Sequence, residues 1–385
     1  MEQVLAANPS DLVIFGKKPA VIPGQYIAPS INLKKQVQSF WEHSPCDSWF
    51  ADGQPGTPGF YRTLDEHRYR VHPKLLSAIG LEKTSGLRVL EIGCGCGSEA
   101  ERLARAGAHY TAVDLTNAAL HLTKERFRLA GLKGNFTQGD EESLPFADDS
   151  FDLVYSHGVL HHTPDTAQAI REVYRVLSPS GRAVIMLYHR DSFNYEINLR
   201  VVRRLRAQLL RTRMGLKIVR KIWRKSATEL GRQAELIKQD PRAYLEMQNV
   251  LNRNTDGPDN PLSQVFSKKS ARPLFWQFRT VKTEVMFWNP NWLPVLGKVL
   301  PESLEDKLAS RWGWHLDLRT ETTVERATAA TTGRSLHMGE IVSASVGGCL
   351  RQVRHSLLRK SMISGSVQST APINFRRITP LRSMI

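Results

Sequence analysis

Apolar positions in the first half of the chain fall into short runs of β-formers separated by stretches with helical spacing. Val89, Leu90 and Ile92 mark a first strand, and Tyr110 to Leu115 (YTAVDL) a second. Residues 135–138, 151–156 and 182–188 give three more, the last (AVIMLY after Arg182) nearly all apolar, as a strand buried on both faces requires. Between them, residues 98–106, 116–130 and 165–177 carry apolar residues at helical spacing, with Thr116 placed as an N-cap. Strands that alternate with helices predict an α/β fold with a doubly wound parallel sheet and ligands at the strands' carboxyl ends.

Two period-two stretches lie far downstream. Val281, Thr283, Val285 and Phe287 share one face of 280–287, and Trp312, Trp314, Leu316 and Leu318 share one face of 312–318. Read as strands six and seven they complete a seven-stranded sheet, and residues 191–277 become a helical insertion between strands five and six. At the other end, residues 1–30 show no period and are expected to be a loose arm. Residues 31–44 predict a short helix with Val37, Phe40 and Trp41 on one side, ending before Pro45. A Gly/Pro loop at 52–59 has the composition of a hinge, and 67–83 predicts a helix leading into the first strand.

The chemistry gathers where the first strand ends. Glu91 is followed by Gly93, Gly95 and Gly97 at alternate positions and then by a helix. Such a turn needs backbone at positive φ and lets a ligand lie against the chain. The register Gly95-Cys96-Gly97-Ser98-Glu99-Ala100 also satisfies the dinucleotide fingerprint, so this loop alone leaves NAD open. Asp114 ends the second strand, where a carboxylate can accept both hydroxyls of a ribose, a feature that suits NAD and S-adenosylmethionine equally. Cys94 and Cys96 have no second pair of ligands elsewhere, so no metal is expected.

The ordered set E-x-G-x-G-x-G, the acid at Asp114, Gly139-Asp140 after strand three, LPFADDSFD before strand four and LSPSGR at 177–182 resembles the class I S-adenosylmethionine-dependent methyltransferases. The likeness is to the ubiquinone/menaquinone-biosynthesis type, the methyltransferase type 11 group, and it covers residues 60–190. The resemblance implies that Glu91, Gly93, Gly95 and Gly97 form the cofactor loop, Asp114 with Leu115 the ribose clamp, and Asp140 with Glu141 the adenine contact. It puts Ser156 and His157 beside the sulfonium and implies that residues 31–44 fold over the cofactor. His157 and His189, at the ends of strands four and five, are the candidate general bases. His161 and His162 are read as structural, and Tyr188 is a weaker candidate.

Charge is distributed unevenly. Residues 1–198 hold 20 Lys+Arg against 23 Asp+Glu, whereas the remainder holds 33 against 14, so the whole excess lies downstream of the cofactor motifs. From Arg200 to Lys225 there are eleven basic residues and no acid, with Val202, Leu205, Leu209, Leu216, Val219 and Trp223 at helical spacing. This predicts a basic amphipathic helix, or two divided near Gly215. Its charge suits a phosphate-bearing surface, and since Trp223 is its only aromatic residue an anionic membrane or lipid-like substrate fits better than nucleic acid.

The expected organisation is an arm and lid (1–60), a cofactor core (61–190), the basic insertion (191–277), a closing hairpin (278–320) and a disordered basic tail (321–385). No secretory pattern opens the chain and no run of eighteen apolar residues occurs, so a cytoplasmic protein, peripheral at a membrane, is expected. The function expected is methyl transfer from S-adenosylmethionine to a small-molecule or lipid-like acceptor. RNA methylation, or cofactor binding without catalysis, are the alternatives.

Overall fold

The computed structural model describes residues 31–223, 227–292 and 300–322; the expected arm, the end of the basic stretch and the tail beyond Thr322 lie outside them. Helix α1 (Ile31–His43) precedes α2 (Pro58–Val71) and α3 (Leu75–Ile79). The core then runs β1 (Arg88–Ile92), α4 (Ser98–Arg105), β2 (His109–Asp114), α5 (Asn117–Ala130), β3 (Asn135–Gln138), β4 (Phe151–His157), α6 (Thr166–Val176) and β5 (Leu177–Tyr188). The sheet order is β3-β2-β1-β4-β5-β7-β6, with β7 (His315–Glu321) antiparallel to both β5 and β6 (Thr280–Met286). An antiparallel strand between five and six departs from the all-parallel dinucleotide order. The sheet is doubly wound, as its sequence pattern predicts.

Local chemistry explains most boundaries. Thr116 accepts a hydrogen bond from Ala119 N and caps α5, and Asp165 does the same for α6 from Gln168 N. Thr57 caps α2, with Pro58 at its first position, so the expected 52–59 loop ends in a helix start. The single helix expected over 67–83 is instead two, because Pro73 has no N–H to continue α2 and restricts His72 before it. The LSPSGR segment proves to be an irregularity within β5: Phe151 pairs with Leu177 while Leu153 pairs with Arg182, and Ser180 takes a φ of 65°.

Strand seven is also corrected. Residues 302–312 form α13 (Glu302–Trp312), Trp312 is exposed, and β7 begins only at His315. Leu316 and Leu318 do share a buried face, but His315 and Asp317 are buried on the opposite face, which a half-exposed strand would have left to solvent.

The insertion opens with a π-helix (Asn194–Arg203) that passes into α7 (Arg204–Leu209), followed by α8 (Arg213–Trp223), α9 (Ala227–Gln239), α10 (Pro241–Leu245), α11 (Met247–Thr255) and the one-turn α12 (Lys268–Ala271). The break in the basic stretch falls at 210–212, and Gly215 lies inside α8, where a Cβ would sit 1.9 Å from Leu209 O. Over α7 the expected apolar face is rotated, Leu205 and Leu209 being exposed while Arg206, Ala207 and Leu210 are buried; in α8 Val219 is buried as expected, with Leu216 packed beside it. A π-helix uses i→i+5 bonds, so a face extrapolated at 3.6 residues per turn loses phase through it. Arg206 donates to Gln233 Oε1 at 2.9 Å, in a small core of the insertion's own that includes Ala207, Leu210, Val219, Leu230 and Tyr244. A second cluster, of Leu199, Val250 and Leu251 with Met186, Tyr188 and Trp314, fastens the insertion to the carboxyl end of β5 and the amino end of β7.

Candidate active site at the carboxyl edge of the sheet

A cavity of about 950 Å³, part of it open to solvent, lies at the carboxyl ends of β1, β2 and β4. Glu91, Gly93, Gly95, Asp114, Leu115, Glu141 and His157 all line it, whereas Gly97, Asp140, Ser156 and His189 do not. The glycine turn is dictated by packing as well as by access. Gly93 sits at φ 78° and a Cβ there would fall 2.2 Å from Val159 Cγ2; Gly97 turns its Cα toward Thr123, 3.0 Å from where its Cβ would be.

Asp114 is held through both carboxylate oxygens, more closely at Oδ1 than at Oδ2, where the Cys94 thiol also lies at 3.9 Å. Thr116 donates both its N–H (2.9 Å) and its hydroxyl (2.8 Å) to Oδ1, and Gly95 N lies 3.4 Å from Oδ2. Burial raises its carboxyl above the usual range, opposed by those hydrogen bonds. Glu91 is buried more deeply: Tyr110 donates its hydroxyl to Oε2 at 2.5 Å, and burial with Glu99 nearby pushes the carboxyl up to about 8. Arg68 also lines the cavity, holding Glu99 in a two-pronged pair (2.8 and 2.6 Å) and pairing with Asp47. Nothing local in the sequence marks Arg68, because its partners come from 21 residues before it and 31 residues after it.

Helix α1 is stitched across this cavity by residues four apart on one face. Lys34 donates to Asp140 Oδ1 (2.7 Å) and pairs with Glu142 (2.9 Å) and Glu141 (3.3 Å). Gln38 donates to the Leu115 carbonyl at 2.9 Å. Glu42 accepts from the N–H groups of Asn117 and Ala118 (2.9 and 3.0 Å), the orphan donors that open α5. Val37 and Trp41, on a neighbouring face, line the cavity. Asp140, the expected adenine contact, is thus turned to Lys34 and to its own loop, where Oδ1 accepts from Glu142 N.

The expected acceptor-side residues separate. Ser156 is fully buried and donates to the Ile92 carbonyl at 3.1 Å, tying β4 to β1 beneath the cavity floor rather than facing it. His189 is buried toward β7, its Nδ1 3.0 Å from the Gly313 carbonyl, because the antiparallel strand covers the end of β5. His157 alone of the two proposed bases reaches the cavity, and burial, with His315 next to it, keeps its imidazole well below the usual range. His161 is buried against Tyr188, with ring centroids 3.7 Å apart. His162 lines the cavity, but its Nδ1 lies 2.6 Å from the Leu262 carbonyl and its Nε2 3.5 Å from Asp256 Oδ2, so both ring nitrogens face oxygen acceptors. Asp256 also accepts from the Tyr188 hydroxyl at 2.9 Å. The NTDGPDNP loop (254–261) thereby docks the insertion on the ends of β4 and β5.

Residues 90–185 match the methyltransferase-domain family. These residues carry a methyltransferase domain. The chain is 41% identical over 117 residues to the phthiotriol/phenolphthiotriol dimycocerosates methyltransferase 1 of Mycobacterium ulcerans, covering 30% of this chain and 39% of that protein. It is 39% identical over 108 residues to the methyltransferase GfsG of Streptomyces halstedii, covering 27% and 39%. The matches thus span well under half the length of these relatives. Among solved structures, the chain is similar to the YcgJ protein of Bacillus subtilis (20% identity, TM-score 0.38, 66% of this chain and 99% of that one). It is also similar to a possible histamine N-methyltransferase of Thermotoga maritima (18%, TM-score 0.36, 69% and 98%).

Proposed function

We propose that the chain transfers the methyl group of S-adenosylmethionine to a small-molecule or lipid-like acceptor. The observation that carries this reading is the convergence of three separated sequence motifs, Glu91 to Gly95, Asp114-Leu115 and Glu141, on one cavity at the carboxyl ends of adjacent strands. The donor set fits the cofactor: a carboxylate with one oxygen uncommitted to Thr116 for ribose hydroxyls, and the orphan N–H groups at the start of α4, with Arg68, for a carboxylate. When bound, the sulfonium supplies the electrophilic methyl group. What the chain's own residues contribute is alignment and exclusion of water, through α1 above and the insertion beside the cavity. His157, neutral and cavity-facing, is the side chain available to take a proton from an acceptor, although its lowered basicity limits that role.

The lipid-like acceptor class draws support from the names of the mycobacterial relatives. It also fits a surface of the insertion where Ile197, Val201, Leu205 and Leu209, spaced four apart, and then Met214 and Ile218 are exposed among Arg200, Arg204, Arg211, Lys217, Arg220 and Lys221. An exposed apolar stripe with basic flanks suits an anionic lipid surface. Calorimetry tests the cofactor. S-adenosylmethionine should bind and NAD should not, and Asp114→Ala should weaken S-adenosylmethionine by about 1.5–3 kcal/mol through loss of charge-assisted hydrogen bonds. Equal affinity in a folded variant would overturn the assignment of Asp114, and NAD binding the choice of cofactor.

A further inference from the structure

Three imidazoles, of which the methyl-transfer reading calls only on His157, converge from three separate elements at the carboxyl edge of the sheet. His72 follows α2, His157 ends β4 and His315 opens β7. One ring nitrogen from each lies within 4.8 Å of the other two. The ring centroids are 5.0 Å apart for His72 and His315, 5.2 Å for His157 and His315 and 5.7 Å for His72 and His157. Three imidazoles around a tetrahedral ion, at metal–nitrogen distances of about 2.0–2.1 Å, have ring centres about 5 Å apart and ligating nitrogens about 3.3 Å apart. The rings already have the spacing of a ligand set, and small ring rotations would bring the nitrogens to ligating distance.

The surroundings favour an ion. Among the described residues no hydrogen bond occupies a ring nitrogen of the three, so no protein contact has to be given up. Burial, together with their mutual proximity, keeps His72 and His157 well below the usual histidine range, and burial with Arg68 takes His315 to about 3. All three therefore present lone pairs at neutral pH, the form that binds metal. Arg68, the fixed cation that acts on all three, is answered by the carboxylates of Glu99 and Asp47. Phe287 packs on His315 and His72 at 4.6 and 4.8 Å, which walls the cluster on one side, while His157 lines the cavity on the other.

We propose that His72, His157 and His315 bind a divalent transition-metal ion of the zinc class beside the methyltransferase cavity. Imidazole donors select zinc, copper, iron or nickel over magnesium or calcium. Three protein ligands leave a fourth position for a water or an acceptor oxygen, the pattern of reactive rather than closed structural sites. The site stands whether or not the methyl-transfer reading holds.

The test uses the full chain after dialysis against chelator, titrated with Zn²⁺ by calorimetry and with Co²⁺ by visible spectroscopy. One ion per chain is expected, and the cobalt spectrum should be that of a tetrahedral nitrogen site without the near-ultraviolet band of thiolate ligation that Cys46, Cys94 and Cys96 would give. His72→Gln and His315→Gln should each lower Zn²⁺ affinity by roughly tenfold or more, with circular dichroism in chelator unchanged. Should His315→Gln fail to fold, the half-buried His72 carries the test alone. Absence of saturable binding, an unchanged affinity in His72→Gln, or a thiolate band in place of the nitrogen spectrum overturns the proposal.

Discussion

Glu91 shows how one side chain can be legible in kind and not in state. Its place before the glycine turn marks it as a ligand-binding acid, yet only the fold buries it, sets Tyr110 on one oxygen and pushes it up to about 8. Between its ordinary value of 4.5 and about 8 the native state keeps a proton that the unfolded chain releases. Its stabilising contribution is therefore full below the lower value and is lost as pH rises through that window. The three imidazoles beside the cavity, whose values are lowered, act in the opposite sense below 6.5, so the test is a difference. Relative to Glu91→Gln, the parent protein without cofactor should lose stability on the order of a few kcal/mol between about pH 5 and pH 9. Urea denaturation at several pH values measures this, and parallel profiles for the two proteins would rule it out.

At the scale of elements, α1 is the clearest gain from the structure. Its aromatic side is legible, but the polar row Lys34, Gln38, Glu42 gains meaning only when the acidic loop after β3, the end of β2 and the start of α5 are brought beneath it. These contacts make α1 a strap over the cavity, and removing them should loosen it. For Lys34→Gln with Glu42→Ala, S-adenosylmethionine should dissociate faster, with an affinity loss of about 1–2 kcal/mol from one lost cap and one broken charge cluster. Stopped-flow displacement reads the rate, and an unchanged rate in the double variant would show that α1 only packs on the sheet edge. The basic stretch teaches the reverse lesson. Its helices are legible, but the π-helix ahead of them turns Leu205 outward and Arg206 inward against the extrapolated period.

For the whole molecule, the sequence divides into a mildly acidic first half and a strongly basic remainder, and the structure shows the apolar stripe that accompanies part of that charge. Among the described residues no helix is long and apolar enough to cross a membrane. The full chain should sediment with anionic vesicles at low salt, more weakly with neutral ones, and progressively less as salt shortens the Debye length below about 10 Å. Replacing Arg204, Lys217, Arg220 and Lys221 by Gln should reduce binding by on the order of tenfold or more, each charge near the surface being worth roughly 1 kcal/mol. Leu205→Ser with Met214→Ser should also reduce it, because both side chains are exposed. RNA binding would share the salt trend but be indifferent to the serine pair, and vesicle binding unaffected by both variants would exclude the lipid surface.

The sequence by itself determined what short-range pattern and spacing encode: the five parallel strands and their helices, the cap at Thr116, the glycine turn and the acid at Asp114. These are set by residues within a few positions of one another, so their physics is local. Only the tertiary structure decided which of the expected site residues stay free to meet a ligand. Asp140 is taken by Lys34 from 106 residues away, Ser156 is closed under β1, and His189 is covered by an antiparallel strand that begins 126 residues after it. The cluster of His72, His157 and His315 belongs to the same class, since no spacing along the chain announces three imidazoles that meet only when β7 enters between β5 and β6.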